Sequence, residues 1–399
     1  MVTLLDIAHA AGVSKMTVSN ALRGKSNVSE AVRERIIRTA NELNYQTNLA
    51  ARALSSGRNN IIEFIVQDLD SPFYGELAKE VSRAADRHGM QTLIRQSLYS
   101  AENEKSAMTP ANSLFCDGLI LATPKLDDAE AQRLAQQRPL ILIDACAPHP
   151  QASTVNTPNY EGARQAVAHL LSTGVRRPLI LGAGADETSM IADDGDGQED
   201  DAAGRGDSPD NGTPRTVGGL RLAGALRAVR DADDATPNTP LCAPVEWTYD
   251  QARQAIHDLI DAGERFDGVF GMSDVVALGA IRGLADRGLK VPEDVKVIGF
   301  DGTTYGAIAT PSLSTIDIDM PAMAETIVDR LMEQLERRGT GRQSAGGAYD
   351  VNAPASSPSG DASNADDPIT VDTAPFTLRV RESTAGRQPS STPSTLRSS

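Results

Sequence analysis

The sequence predicts an α/β protein in which a small three-helix head precedes a larger body built on parallel sheets. The first 46 residues contain short amphipathic helices, whereas from Ile61 onward short apolar runs alternate with helical stretches, as is typical of parallel α/β folds. Charge divides the chain in the same place: residues 1–58 carry eight Lys and Arg against four Asp and Glu, a net +4, although the whole chain is −16. A basic head on an acidic body indicates a nucleic-acid-binding module joined to another domain.

The head contains the signals of three helices. Thr3 can cap the first helix, with Asp6 in the capping-box position, and Gly12 ends it. Ser14 can cap a second helix that ends near Arg23, and Ser29 a third. Two short helices separated by a Gly-containing turn are typical of a helix-turn-helix.

The body alternates predicted strands and helices. We predict strands at Ile61–Val66, Leu93–Gln96, Gly118–Ala122, Leu140–Asp144, Pro178–Gly182, Gly268–Met272 and Val295–Phe300, and helices at Tyr74–His88, Tyr160–Ser172, Leu220–Val229, Tyr249–Asp261 and Val275–Arg287. Ligands of such sheets bind beyond the carboxyl ends of the strands. The Asp- and Gly-rich segment 190–214, the Gly/Ser/Ala/Asp/Pro-rich segment 340–371 and the tail 385–399 are predicted to be disordered, because they offer little apolar surface to bury.

Several classes of protein are disfavoured by the sequence. No apolar run approaches about 18 residues and the N-terminus lacks a basic signal region, so we expect neither a membrane span nor export. Cys116, Cys146 and Cys242 lie far apart, which fits a reducing, cytoplasmic location. The five histidines have no metal-ligand spacing, and neither a complete P-loop nor a GxSxG motif occurs, so we expect no metal, no cofactor and no enzymatic activity.

Motifs along most of the chain resemble the lac-repressor (LacI) family of transcription regulators. In the head these are VTLLDIA at 2–8, GVSKMTVSNAL at 12–22, LNY at 43–45 and NLAARAL at 48–54. In the body they are SPFY at 71–74, RLAG at 221–224, SDVVALG at 273–279, VPEDV at 291–295, GFD at 299–301, TPSLSTI at 310–316 and VRES at 380–383. The head motif is the most specific, and the body motifs occur in family order.

The resemblance implies a DNA-binding role for the head. It implies a helix-turn-helix domain at 1–46 and a hinge helix with linker at 47–58. The second helix of the head would enter the major groove, with base contacts from Lys15, Met16 and Asn20 and phosphate contacts from Ser14, Thr17 and Ser19. In the hinge, Asn48, Ala51 and Leu54 would contact DNA, with Leu54 as a minor-groove wedge. The alternatives are a solvated helix face at Lys15 and Asn20 and an ordinary linker helix around Leu54.

The resemblance also implies that residues 59–384 form a two-lobed effector-binding and dimerisation domain like the periplasmic sugar-binding proteins. We expect one lobe from 60–158 with 284–317 and the other from 159–283 with 318–384. The effector positions of the family fall on Asp144, Arg221, Trp247, Ser273 and Asp301. Acids and a guanidinium suit hydroxyl groups, and a tryptophan face suits sugar C–H groups. Strand-end turn acids and plain packing of Trp247 are the alternatives, and Ser273 replaces the family's usual Asn.

The resemblance therefore predicts a homodimeric repressor of carbohydrate-utilisation genes that binds a pseudo-palindromic operator and is released by a sugar. A corepressed regulator like the purine repressor is an alternative. A sugar-binding transport protein is another, which the basic head and the missing signal region oppose.

Overall fold

The computed structural model describes residues 2–22, 27–43, 45, 59–107, 115–146, 152–184, 216–232, 240–344 and 368–385. The chain forms two compact units, Met1–Asn59 and Asn60–Ser399. Among the described helices, none is both long enough and apolar enough to cross a membrane.

The first unit contains the predicted helices α1 (Leu4–Ala11), α2 (Lys15–Leu22) and α3 (Glu30–Glu42). Its core is a cluster of small and branched apolar side chains: Ile7, Ala8, Ala11, Val18, Ala21, Val28, Ile36 and Ala40. The capping box is confirmed, because the Asp6 amide donates to the Thr3 hydroxyl and the Thr3 amide to Asp6 Oδ2 at 2.8 Å. Gly12 ends α1 in the left-handed region, at φ 65°.

The second unit begins with a lobe on a parallel sheet. Its elements are β1 (Ile61–Val66), α4 (Pro72–Arg87), β2 (Gln91–Gln96), α5 (Ala101–Ala107), β3 (Gly118–Ala122), α6 (Asp128–Gln137), β4 (Leu140–Ile143) and β5 (Ser153–Asn156). Two later elements, α12 (Met320–Ser344) and β11 (Val371–Thr373), return to this lobe. The strand order is β11-β5-β4-β3-β1-β2, and all five pairings are parallel.

The other lobe follows the same plan. Its elements are α7 (Asn159–Ser172), β6 (Pro178–Leu181), α8 (Val217–Asp231), β7 (Leu241–Ala243), α9 (Tyr249–Asp261), β8 (Gly268–Gly271), α10 (Asp274–Asp286), β9 (Lys296–Asp301), α11 (Thr304–Ile308), β10 (Ser314–Ile318), β12 (Phe376–Arg379) and α13 (Glu382–Ala385). The strand order is β12-β10-β9-β8-β6-β7, with only β12 antiparallel to its neighbour.

The predicted division into lobes was wrong for residues 284–317 and for residues 320–344 and 371–373 of the segment 318–384. Residues 284–317 belong to the second lobe, because β9 pairs with β8 and β10 pairs with β9 in an unbroken parallel series. The described chain crosses between the lobes at 157–158, at Asp319 and at 374–375, so α12 and β11 lie in the first lobe. The crossing predicted between residues 283 and 284 does not occur, and the crossing at 374–375 was not predicted, because strand pairing cannot be read from the sequence.

The predicted strands are confirmed to within two residues, whereas β5, β7, β10, β11 and β12 were missed because none of them contains a run of four apolar residues. The disorder predicted at 340–371 was wrong at both ends, since α12 continues to Ser344 and β11 begins at Val371. Residues 345–367, the acidic segment 190–214 and the tail after Ala385 lie outside the described residues.

Candidate DNA-binding surface and effector site

Helix α2 is anchored on one face and open on another. Val18 and Ala21 are buried in the core of the head. Lys15 and Met16 are exposed, Met16 by 70%, and Asn20 is half-buried. An apolar side chain that is 70% exposed is not packed in the core and is available to a partner surface. The predicted base-contacting residues therefore lie outside the core of this unit.

The start of α2 is fixed by two hydroxyl groups. Ser14 Oγ accepts from the Thr17 amide at 3.1 Å and lies 2.8 Å from Thr17 Oγ1. Both hydroxyl groups lie at the N-terminus of α2, the end of a helix that favours anions. Ser19, half-buried, follows on the same helix. The hinge residues Asn48, Ala51 and Leu54 lie outside the described residues.

The predicted effector residues of the second lobe meet at the carboxyl edge of its sheet. Asp301 ends β9, Ser273 follows β8, and Trp247 contacts the segment after β6 through a hydrogen bond from its Nε1 to Gly182 O at 2.8 Å. Arg221 reaches this edge from α8. This is the edge at which open α/β sheets bind ligands.

The Arg221 guanidinium is the centre of this cluster. It is 2% exposed and lies 3.7 Å from the centre of the Phe300 ring and 5.0 Å from that of Trp247. Its NH1 donates to Met272 O and to Asp301 Oδ1, the latter at 3.4 Å. Burial lowers the pKa of Arg221, and the negative charges of Asp301 and Asp144 oppose that shift. A buried cation of this kind needs carboxylate partners.

The acids of the site are buried as well. Burial raises the pKa of Asp301 to about 8; the Arg221 charge opposes this rise, and the Asp274 carboxylate adds to it. Burial also raises the pKa of Asp274 to about 6, despite hydrogen bonds from Thr315 and Thr303. Asp274 is a structural acid, because it accepts from Thr315 Oγ1 at 2.6 Å and from the Thr303 amide at 2.7 Å.

Asp144 and Ser273 already have internal partners. The Oδ1 of Asp144 accepts from the Thr157 amide at 2.7 Å and from Asn159 Nδ2 at 3.0 Å, and the residue adopts a left-handed φ of 52° after β4. Burial raises its pKa. The Oγ of Ser273 caps α10 by accepting from the Val276 amide at 3.2 Å. Both side chains therefore hold the walls of the site in addition to any contact with a ligand.

The first lobe carries a polar cluster of Gln67, Tyr74 and Thr123 that was not among the predicted site residues. Tyr74 Oη lies 2.9 Å from Thr123 Oγ1 and donates to Gln67 Oε1 at 3.3 Å. Burial raises the pKa of Tyr74, and the negative charges of Asp144 and Asp301 add to this rise. Gln67 and Thr123 each directly follow a buried strand, and that position was the available signal.

Glu63, which also interrupts an apolar strand, has a different role. Its carboxylate is 1% exposed and is paired with Arg95 at 3.2 Å and with Arg138 at 3.3 Å. Such a buried pair belongs to the interior of the first lobe.

Two further residues at Arg221, Phe300 and Asn159, were also missed, because neither residue type indicates a ligand site from sequence alone.

Comparison with known families matches both units. Residues 3–48 match the bacterial regulatory proteins of the lacI family, and residues 59–207 match the periplasmic binding proteins and sugar binding domain of that family. Residues 167–346 match a periplasmic binding protein-like domain. The class is therefore that of regulators with a helix-turn-helix head and a two-lobed binding-protein body.

Similar individual proteins narrow the class to one family. A transcriptional regulator of the LacI family from Sanguibacter keddieii has a solved structure that is 31% identical, with a TM-score of 0.61, covering 82% of this chain and all of the other. The chain belongs to the LacI family of transcription regulators. The regulator AscG of Escherichia coli is 27% identical over 84% of this chain and 93% of its own length, and the ribose operon repressor of Halalkalibacterium halodurans is 28% identical over 85% and 92%.

Two further structures share the architecture. The regulator CelR in complex with cellobiose is 25% identical, with a TM-score of 0.60, over 96% of this chain and all of the other. The lac repressor dimer bound to its operator is 22% identical, with a TM-score of 0.71, over 96% and 99%. At that identity the second likeness concerns the fold alone.

Proposed function

We propose that this chain is a repressor that binds a pseudo-palindromic operator as a homodimer and leaves it when a sugar occupies the cleft between the lobes. It would act by binding alone, without catalysis, in the cytoplasm where the operator DNA is. The observation that carries the sugar assignment is the meeting of Arg221, Asp301 and Trp247 at one sheet edge.

The chemistry of this cluster suits a polyol. Asp301 can accept from sugar hydroxyls, the guanidinium can donate to ring or hydroxyl oxygens, and the half-buried indole offers an apolar face. Gln67, Tyr74 and Thr123 add donors and acceptors from the opposite lobe. The relatives support this choice, since one is named as a ribose operon repressor and one solved neighbour holds cellobiose.

For the head, we propose that Lys15, Met16 and Asn20 contact bases, that Ser14, Thr17 and Ser19 contact phosphates, and that Asn48, Ala51 and Leu54 act in the hinge. Lys15→Ala should relax the base preference at one position of each half-site. Ser14→Ala should instead weaken binding to all sequences evenly, because phosphate contacts position the protein without specifying a sequence.

The effector is tested in two stages. A thermal-shift screen uses D-ribose, cellobiose, other sugars and purine bases, because a ligand at 100 times its Kd should add about 2.7 kcal/mol of stability. Operator release is then measured against ligand concentration for wild type, Asp301→Ala and Arg221→Ala.

We expect a sugar to release the wild-type protein from the operator. Both variants should still bind the operator but should respond only weakly to the sugar, because buried hydroxyls left without partners cost about 1–3 kcal/mol. Variants that respond like wild type would show that the pocket lies elsewhere. A purine that strengthens operator binding, with no sugar acting, would replace this proposal by a corepressed regulator.

A further inference from the structure

Asn159 is a buried amide that links two charged side chains of opposite hydrogen-bonding character. Its Oδ1 accepts from Arg221 Nε at 2.9 Å, and its Nδ2 donates to Asp144 Oδ1 at 3.0 Å. The residue is 4% exposed. A guanidinium has no acceptor and an ionised carboxylate has no donor, so a side chain that bridges them must supply one of each. Among side chains of this size the amide does so.

The same bonds connect the two lobes. Asp144 follows β4 of the first lobe, Asn159 is the first residue of α7 directly after the 157–158 crossing, and Arg221 lies on α8 of the second lobe. Within the crossing, Thr157 donates its amide to Asp144 Oδ1 at 2.7 Å, and its Oγ1 lies 2.8 Å from Asn159 Oδ1. One continuous chain of hydrogen bonds therefore runs from the guanidinium to a strand end of the other lobe.

The guanidinium has little freedom to move without disturbing this chain. The Phe300 ring covers one face of the guanidinium, with its centre 3.7 Å from Arg221 Cζ. Arg221 NH1 donates to Asp301 and to Met272 O, and its Nε donates to Asn159. A ligand that bonds to Arg221 must compete with these partners or shift the group. A shift at Nε acts directly on the amide that holds Asp144.

We propose that Asn159 is a positioning residue that transmits displacement of the Arg221 guanidinium to the lobe crossing at Thr157. The inference rests on the proposed function, because Arg221 is the group that a sugar would contact. It assigns to the Asp144–Thr157–Asn159 cluster the task of linking occupancy of the pocket to the angle between the lobes.

The test is hydrogen exchange followed by mass spectrometry on the full chain, without sugar or DNA. Arg221→Met should speed exchange of the Thr157 amide about tenfold, the scale of losing a hydrogen bond to a charged group. Asn159→Leu, nearly equal in shape, should do the same. Because both act through one path, Arg221→Met should add nothing in the Asn159→Leu background, a non-additivity that independent sites do not show.

A swap variant guards against a simple failure to fold. The double variant Asp144→Asn with Asn159→Asp restores an amide facing a carboxylate and leaves an acceptor for Arg221. Protection of the Thr157 amide from exchange should therefore return. Asn159→Asp alone places two acids together, so this protection should be lost. Gln334→Leu is the control, since it removes another buried amide, bonded to Leu140 in the first lobe, and should leave Thr157 unchanged.

Additive effects of Arg221→Met and Asn159→Leu would overturn the proposal, as would an unchanged Thr157 amide in Arg221→Met. The experiment uses neither sugar nor operator, so its result can be interpreted even if the proposed effector is wrong or the protein does not bind DNA. Conversely, operator release by a sugar with additive exchange effects would keep the proposed function and remove the role of Asn159.

Discussion

Asp301 should make the stability of the two-lobed unit depend on pH. Its pKa is raised to about 8 by burial, against 3.8 for an unperturbed aspartate. The folded protein therefore binds this proton more tightly than the unfolded chain. The contribution to stability is fully present below pH 3.8 and is lost progressively as pH rises toward 8. Asp301→Asn keeps the shape of the side chain and removes the titration.

The size of the effect follows from linkage. A difference in one bound proton changes the free energy of unfolding by about 1.4 kcal/mol per pH unit. Between pH 5 and 7 wild type should lose on the order of 1 to 3 kcal/mol through the interacting Asp301 and Asp274 carboxyls. Asp301→Asn should therefore show a shallower slope over this range, by up to roughly 1 kcal/mol per pH unit.

The assay is urea unfolding at constant ionic strength, followed by fluorescence of Trp247. It is the only tryptophan in the sequence, so the signal reports on the two-lobed unit. Asp261→Asn is the matched control, because the pKa of exposed Asp261 is lowered by Arg287 and its contribution is lost only as pH falls below its ordinary range. Parallel profiles for wild type and Asp301→Asn between pH 5 and 7 would refute the reasoning.

Three other changes have defined outcomes. Leu54→Ala should weaken operator binding by a few kcal/mol, the scale of one unstacked base step, without changing sugar affinity; equal operator affinity in a gel shift would show that no wedge acts here. Deleting residues 192–212 should barely move the Tm in calorimetry, because loop-closure entropy depends weakly on length; a fall of several degrees would contradict this. Gly162→Ala places a Cβ 2.7 Å from Phe300 Cε2, so it should displace that ring from Arg221 and change Trp247 emission, which an unchanged spectrum would disprove.

The fold was predictable where local pattern and chain position agree. The helix signals at Thr3 and Gly12 and the apolar strands β1, β3 and β4 needed no long-range information. The lobe to which β10 and α12 belong did need it, because only strand pairing decides where the chain crosses. Short strands such as β5, with the sequence STVN, are buried through their neighbours and show no apolar run of their own.

The charged residues of the candidate site could be predicted from the sequence, but the residues that hold them in place could not. Family position indicated Arg221 and Asp301, and the structure brings these together. Asn159 and Phe300 act through contacts with Arg221 from other elements, 62 residues away in the case of Asn159. No pattern of spacing could indicate them. The hydrogen bonds that occupy Asp144 and Ser273 likewise follow from tertiary structure alone.

The central claim is that the chain binds a specific DNA sequence as a dimer. It is tested most directly by selecting the duplexes that the full chain binds from a random pool. We predict enrichment of an inverted repeat whose half-sites lie one helical turn apart, or a multiple of it, because a two-fold dimer presents two recognition helices. Affinity for the selected duplex should fall steeply with salt and disappear when residues 1–58 are deleted. A pool with no enriched sequence, or a single asymmetric site bound by one chain, would contradict the account.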